Sequence, residues 1–448
     1  MARARPDHRV VTDTIHGTLR LEGVTRALLD TPQVQRLSGI HQTGLSYLVF
    51  PGANHTRLEH SLGASHIAGQ MARALQLSPQ EETLAVAATL LHDIGHGAFS
   101  HTLEFLMAQG GIANHMQVTK DIILGRYDPL PPGHGGEAEG PSVSEVLRAH
   151  DLDPAEVASL ISGDLLHDQP TLEDFGSVDI HERDETDPPD RGMRLRLLAH
   201  LVHSPIDADQ IDYLLRDSHY TGVAHGVIDK ERLVSTLLSA GDRVVVHRNG
   251  LPAVEGMIMA RALMYSSVYF HKTVRIAEVM LCRAVAALPT MPPVHRLNDA
   301  DLWQLLLTAQ GLPQRLALSL RYRRLYKRVL AVTRAELGSD GLQRLEAMRD
   351  PQRRAAMEAE LADRAGVGPG EVFIDTPHLE WVVDTPRTQQ VQVGIFDPDQ
   401  QVTVPLSKLS AVAKVLSARE VPEWSLMVAA HPRAAAAVRT VAAKVLWG

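Results

Sequence analysis

The sequence predicts a mainly α fold, a helical core followed by a smaller α+β region toward the C-terminus. Three observations carry this. Aromatic residues make up only 4% of the 448 residues while Ala and Leu abound, a bias that favours helix. Apolar residues recur at helical spacing from Val24 onward. Strand-like runs are few and short, as at 372–374 and 390–396.

Taken in order, residues 9–22 read as an extended or turn segment around Asp13-Thr14-Ile15-His16-Gly17. Helices are predicted over 24–29, 32–40, 58–75, 79–92 and 101–107. Asp30-Thr31-Pro32 is a helix start, with Pro suited to the first turn. Ser78-Pro79-Gln80-Glu81 is another, with Ser as N-cap and Glu at the capping-box position. Residues 126–142 are rich in Pro and Gly, and 167–192 are acidic with Pro; both read as flexible insertions. Helix resumes over 193–203, 208–216 and 254–287. A hairpin is expected between 243–247 and 252–255, turning at Asn249-Gly250. Further helices are expected over 302–310, 316–337 and 341–365. So long a chain exceeds one ordinary core, and a boundary at 289–293 divides it into regions 1–288 and 289–448.

Composition narrows the function classes. Hydrophobic content of 44% and charged content of 22% are those of a globular protein. No run reaches the roughly 18 apolar residues of a membrane span, and the basic N-terminus has no apolar stretch behind it. No membrane association and a cytoplasmic location are therefore expected. The single cysteine, Cys282, offers no internal disulfide and suits a reducing compartment. A net charge of −9 speaks against a general nucleic-acid-coating role.

The chemistry concentrates in Leu91-His92-Asp93-Ile94-Gly95-His96-Gly97-Ala98-Phe99-Ser100-His101, which follows an apolar run. On a helix, His92 and His96 are four apart and share one face. Buried imidazole and carboxylate groups need partners, and a metal ion suits this mixture of N and O donors. Upstream lies Asn54-His55-Thr56-Arg57-Leu58-Glu59-His60-Ser61, and downstream Asp207-Ala208-Asp209-Gln210-Ile211-Asp212-Tyr213.

A His on one helix, His-Asp on a second and Asp on a third resembles the HD-domain metal phosphohydrolases. The runs 31–37, 49–63, 92–101 and Tyr269-Phe270-His271-Lys272 look, more narrowly, like the deoxynucleoside triphosphate triphosphohydrolases. The resemblance implies an HD-domain helical bundle and four ligands to one divalent metal (Mn, Fe, Zn or Mg): His60, His92, Asp93 and Asp209. It implies hydrolysis of dNTPs to deoxynucleoside and inorganic triphosphate, which controls dNTP pools. His115 is the implied general acid, with Glu104 orienting it and His96, beside Asp93, near the α-phosphate. Arg57, His101 and Arg261 would meet phosphate, and Tyr213, Asp217, Gln42 and Tyr269 the sugar. Two positions depart from the pattern. Thr43 replaces a bulkier Leu and leaves room for a ribose hydroxyl, and Phe270 replaces a Gln beside the base, so base contact is expected by shape. A nucleotide effector is implied at Arg9, Val10, Asp30 and Gln35, and at Arg232, His271 and Lys272, although Thr12 and Ser38 depart from the effector pattern. A homo-oligomer (dimer, tetramer or hexamer) is implied as well. Two alternatives stay open: an HD hydrolase acting on a ribonucleotide, alarmone or modified nucleotide, and a nucleotide-sensing oligomer with little turnover.

Overall fold

The computed structural model describes residues 8–109, 113–130, 140–166, 190–377, 393–417 and 424–448. Most of the two expected insertions, and residues 390–392 of the expected strand, lie outside them. The fold is mainly α, with small sheets. It forms two compact units: Met1–Met264 with Pro293–Leu302 and Gln390–Ser417, and Tyr265–Pro292 with Trp303–Gln389 and Ala418–Gly448.

The first unit opens with an antiparallel hairpin, β1 (His8–Asp13) and β2 (Gly17–Glu22). Gly17 takes φ +75° at its tight turn, a conformation glycine adopts without cost. Among the described residues up to Met264 the helices are α1 (Gly23–Leu29), α2 (Pro32–Gln35), α3 (Arg57–Ala74), α4 (Pro79–Leu91), α5 (Ser100–Gln109), α6 (His115–Ile123), α7 (Val143–Ala149), α8 (Pro154–Ser162), α9 (Arg191–Val202), α10 (Ala208–Thr221), α11 (Lys230–Ser235) and α12 (Leu251–Met264). Thr31 caps α2, which tightens into a 3-10 turn at Arg36–Gly39. Ser78 and Glu81 form the expected capping box.

α3 packs on α4 and α10. Its buried residues include the small Gly63, Ala64, Ala68 and Ala72, and at Gly63 the side chains of Asp212 and Arg216 fill the space a Cβ would take. Leu90, Leu91, Ile94, Ile67, Met71, Ile211 and Leu214 fill the core around this contact.

Several expectations are corrected. α4 stops at Leu91, and His92 is its C-cap. Residues 92–95 turn away, so His92 and His96 share no helical face. The strand β4 (Arg243–His247) pairs with β3 (Leu237–Ala240) across Gly241, which supplies φ +63°. β4 also runs parallel to β7 (Gly394–Asp397), which pairs with β8 (Val402–Pro405). Gly250 is there for space: a Cβ would sit 2.2 Å from Thr236 Oγ1, and α12 begins directly after it. The long 254–287 helix is interrupted by a π-helical segment, Tyr265–Tyr269, before a helix over Lys272–Ala286. Finally, the expected 316–337 helix ends at Arg321, and the following residues form a strand.

That strand, β5 (Lys327–Val332), belongs to the second unit, where it and β6 (Val372–Asp375) flank β9 (Leu426–Ala430) in an antiparallel sheet. The pairing overrides local helical spacing because Leu345, Leu361, Val372, Ile374, Val428 and Val438 close one core around it. Pro351, capped by Asp350, splits 341–365 into Ser339–Ala347 and Pro351–Ala365. Among the described residues no helix is long and apolar enough to cross a membrane.

Candidate metal centre

The site is assembled from α3, the end of α4 and the first turn of α10. Thr56 caps α3, accepting from Glu59 N, while Glu59 Oε2 accepts from Thr56 N at 2.6 Å. His60 lies one turn in and is fully buried. Its Nδ1 donates to Asp212 Oδ2 at 2.8 Å. His92 Nδ1 donates to Thr89 O at 2.7 Å. Both acceptors fix the tautomer, so each ring turns its Nε2 lone pair inward, 3.3 Å from the other. Asp209 Oδ1 stands 2.9 Å from His60 Nε2 and 3.6 Å from His92 Nε2. Asp93 Oδ1 lies 3.4 Å from His92 Nε2.

Lone pairs and carboxylates converging in this way repel one another unless a cation lies among them. Two donors on one ion at about 2.0–2.2 Å sit about 3–3.5 Å apart, close to the spacing found here. His60, His92 and Asp93 each place one ligand atom within 4.8 Å of the others, all buried. Asp209 faces both imidazoles from the fourth side. The donors therefore fit a divalent metal, and the Nδ1 bonds are the supporting contacts that orient such ligands.

The same carboxylates favour positive charge at this point, a metal ion on the Nε2 lone pairs or, in its place, a proton. Burial disfavours a charged His60, yet hydrogen bonds to Asp209 and Asp212 raise its pKa to about 10. His92 is raised despite burial by Asp93 and Asp209. Against the same desolvation, His92 and Arg57 keep Asp93 well below the usual carboxylate range.

A support network that the sequence reading passed over lies behind His60. Asp212 is fully buried and accepts from His60, from His16 Nε2 at 2.7 Å and from Arg216 Nε at 2.8 Å. Arg216 Nη1 in turn meets Asp13 Oδ2 at 2.9 Å. The signal was present, because Asp212 is three residues beyond Asp209 and Arg216 is four beyond Asp212, so Asp212 neighbours both along one helix face.

Beside Asp93 is a second cluster. Arg57, 2% exposed, pairs through Nη1 with Asp93 Oδ2. His96 Nε2 is 3.3 Å from Asp93 Oδ1, and its Nδ1 is 2.5 Å from Ser100 Oγ. The His96 ring stacks on His115 with centroids 4.1 Å apart and planes 16° from parallel. His101 is 4.7 Å from His96 and 5.9 Å from His115. His115 opens α6, which Asn114 caps, and its Nδ1 is 2.7 Å from Glu104 Oε1. Burial, with Arg57 adding to it, holds His96 neutral, well below its ordinary pKa. Glu104 is lowered: burial opposes its ionisation, but the hydrogen bond to His115 and the charges of His115, His101 and Arg57 together outweigh it.

The remaining predicted residues are more dispersed. Gln42 N bonds His55 O at 3.0 Å and Arg57 N bonds Ile40 O at 2.9 Å, which sets Gln42 and Thr43 alongside the start of α3. Gln42 Oε1, Thr43 Oγ1 and Arg57 Nε are buried and have no hydrogen-bond partner among the described residues. Tyr213 and Asp217 lie on α10, where Asp217 Oδ1 is taken up by His55 Nε2 at 2.7 Å. Arg261 is buried on α12. Tyr269, Phe270, His271 and Lys272 belong to the second unit. There Tyr269 meets Tyr265 edge-on at 5.0 Å, and His271 caps the helix beginning at Lys272. Among the expected effector residues, Arg9 pairs with Asp30 at 2.5 Å, Val10 is exposed and Gln35 Nε2 donates to Leu29 O at 2.7 Å. Arg232 Nε donates to Asn249 O at 2.9 Å.

Comparison with known proteins agrees with this geometry. An HD-domain model matches residues 57–172 and an HD-associated-region model matches 228–447. The chain is 32% identical over 281 residues to the protein MJ1154 of Methanocaldococcus jannaschii, covering 62% of this chain and 49% of that one. It is 29% identical over 294 residues to the deoxynucleoside triphosphate triphosphohydrolase SAMHD1 of Gallus gallus, covering 62% of this chain and 45% of that one. The crystal structure of a hypothetical protein from Aquifex aeolicus superposes with a TM-score of 0.69 at 25% identity, covering 97% of this chain and 99% of that one. The chain spans about half the length of the curated relatives it matches. With buried His60, His92 and Asp93 inside the HD match and the second match reaching Trp447, the chain carries an HD domain followed by an HD-associated region.

Proposed function

We propose that the chain hydrolyses deoxynucleoside triphosphates to deoxynucleoside and inorganic triphosphate. The observation that carries this reading is the stack of His96 on His115, with Glu104 behind it, beside a donor set fit for a metal. A divalent ion held by His60, His92, Asp93 and Asp209 would polarise a phosphate oxygen and lower the pKa of bound water. The chain's own residues supply the rest. Glu104 accepts the Nδ1 proton of His115, leaving Nε2 to carry a proton to the departing 5′ oxygen. Neutral His96 can donate to an α-phosphate oxygen without a net charge of its own. Arg57 keeps Asp93 ionised and oriented, and its Nε is left to meet an anionic oxygen. Gln42 Oε1 can accept from a sugar hydroxyl.

Tyr269 and Phe270 are assigned to sugar and base on the resemblance alone. The effector assignments and the homo-oligomer have the same footing; for the substrate, the supporting comparison is the deoxynucleoside triphosphate triphosphohydrolase of Gallus gallus. Thr43 favours a second reading. Its hydroxyl is buried and without a partner among the described residues, so it can hydrogen-bond a ribose 2′-hydroxyl and admit ribonucleotides.

Incubation of the chain with each dNTP and NTP, with Mn²⁺ or Mg²⁺, and chromatography of the products tests both readings. Deoxynucleoside plus triphosphate is expected. Turnover of NTPs alone supports the second reading, and nucleoside diphosphate or pyrophosphate as product overturns the first.

A further inference from the structure

We propose that residues 293–299 form a strap that positions the site's histidines, with His295 as its central positioning residue. The segment lies outside the HD match and inside the HD-associated match, yet it belongs to the first unit. It binds residues 95–99 of the turn after His92-Asp93, while Arg36 holds Ile94 O and His96 O and Thr119 holds His92 O. Ala98 N donates to Leu297 O at 2.9 Å. A Cβ on Gly97 would lie 2.0 Å from Val294 O, so backbone rests directly on backbone there. Asp299 Oδ1 accepts from Phe99 N at 3.2 Å, while its Oδ2 accepts from His41 N at 2.9 Å and stands 2.6 Å from His41 Nδ1. Phe99 has φ +46°, a left-handed conformation costly for a bulky residue and kept only where surroundings impose it. Arg296 Nη1 donates to Leu130 O at 2.9 Å, anchoring the outer side of the strap.

His295 joins the two halves of the histidine cluster. Its Nδ1 faces Gly95 O at 3.1 Å and its Nε2 faces Ala113 O at 2.9 Å, with the residue 5% exposed. Gly95 immediately precedes His96, and Ala113 lies two residues before His115. Gly95 itself rests on α6, where an added Cβ would be 2.3 Å from His115 O. The 4.1 Å stack of His96 on His115 therefore depends on how closely the turn is held to the start of α6. His295 is the side chain that faces a carbonyl on each: a single ring N–H donates to one of them, and the protonated ring donates to both.

The catalytic consequence rests on the proposed function, but the positioning itself can be read without substrate. In the full chain, His295→Ala should accelerate hydrogen exchange of the amides at 95–99 and 115–119, leaving α9 and the β5-β9-β6 sheet at wild-type rates. Metal content should be unchanged, and kcat should fall about 10–100-fold with KM moving by less than about threefold. His295→Gln, whose amide reaches one carbonyl, should fall between wild type and the alanine variant in both readouts. Should His295→Ala fail to fold, Asp299→Asn loosens the same turn and should show the same local exchange. Wild-type exchange at 95–99, or exchange that rises equally throughout the chain, overturns the strap. Absence of dNTP turnover in the wild-type protein would overturn the proposed function and leave the exchange result to decide the strap.

Discussion

Replacing Gly63 with alanine should damage the metal centre without touching a metal ligand. The added Cβ would lie 2.0 Å from Asp212 Oδ1, 2.8 Å from Asp212 Cγ and 2.3 Å from Arg216 Nη2. Ordinary carbon–oxygen contact requires the carboxylate to retreat by about 1.5 Å. Asp212 has nowhere to go, being fully buried and bonded to His60, His16 and Arg216 at once. Losing a buried ion pair of this kind costs about 3–5 kcal/mol. Freeing the Nδ1 of a ligand histidine typically weakens metal affinity about 10–100-fold. Urea unfolding followed by circular dichroism reads the first effect, and titration of the metal-stripped protein with Mn²⁺ by calorimetry reads the second. Gly256→Ala is the control: it is also helical, but nothing lies within 4 Å of its added Cβ. That variant should be neutral or more stable by up to about 1 kcal/mol. If Gly63→Ala unfolds and binds metal like the wild type, the support network is not what orients His60.

Other perturbations separate the remaining parts of the site. His92→Ala combined with Asp93→Ala should remove bound metal, measured by plasma mass spectrometry, and turnover together. His115→Ala should keep the metal and lose about 10²–10⁴-fold in rate. Glu104→Gln should lose less, and unchanged turnover in His115→Ala would remove it as the acid. His200 gives a pH signature of stability: burial lowers it to about 4, against the opposing pull of Asp242. Its neutral form is the folded one, so its contribution is fully present above the unfolded value of about 6.5 and is lost as pH falls toward 4. Between pH 7 and pH 5 the wild type should therefore lose more stability, by about 1–2 kcal/mol, than His200→Gln in parallel urea titrations.

The parts of the molecule governed by local chemistry were legible in the sequence. Capping at Ser78 and the helical pattern of α4 follow from neighbouring residues, and His60, His92, Asp93 and Asp209 stood out because few structures need such groups buried together. What escaped depends on distant partners. Nothing near His92 announces that the helix ends one residue earlier, since the turn at 92–99 is held by Leu297 and Asp299, some two hundred residues away. β4 lies between a near partner, β3, and a distant one, β7, which is supplied by residues 394–397 and which nothing near β4 announces. From its neighbours in sequence Asp212 resembles an ordinary polar position on an amphipathic helix; its burial against His60, His16 and Arg216 is set by the fold.

The interleaving of the two units has a consequence for biosynthesis. The first unit reaches Met264 as an almost complete helical body but receives its last paired strands, β7 and β8, only when Pro405 has been made. At about 5–20 residues per second, that is a delay of roughly 7–30 s on the ribosome. During that interval β4 has β3 on one side and an open edge on the other, a template for pairing with another nascent chain. The stretch of synthesis between Met264 and Pro405 is thus where chaperone demand and aggregation of this protein should concentrate.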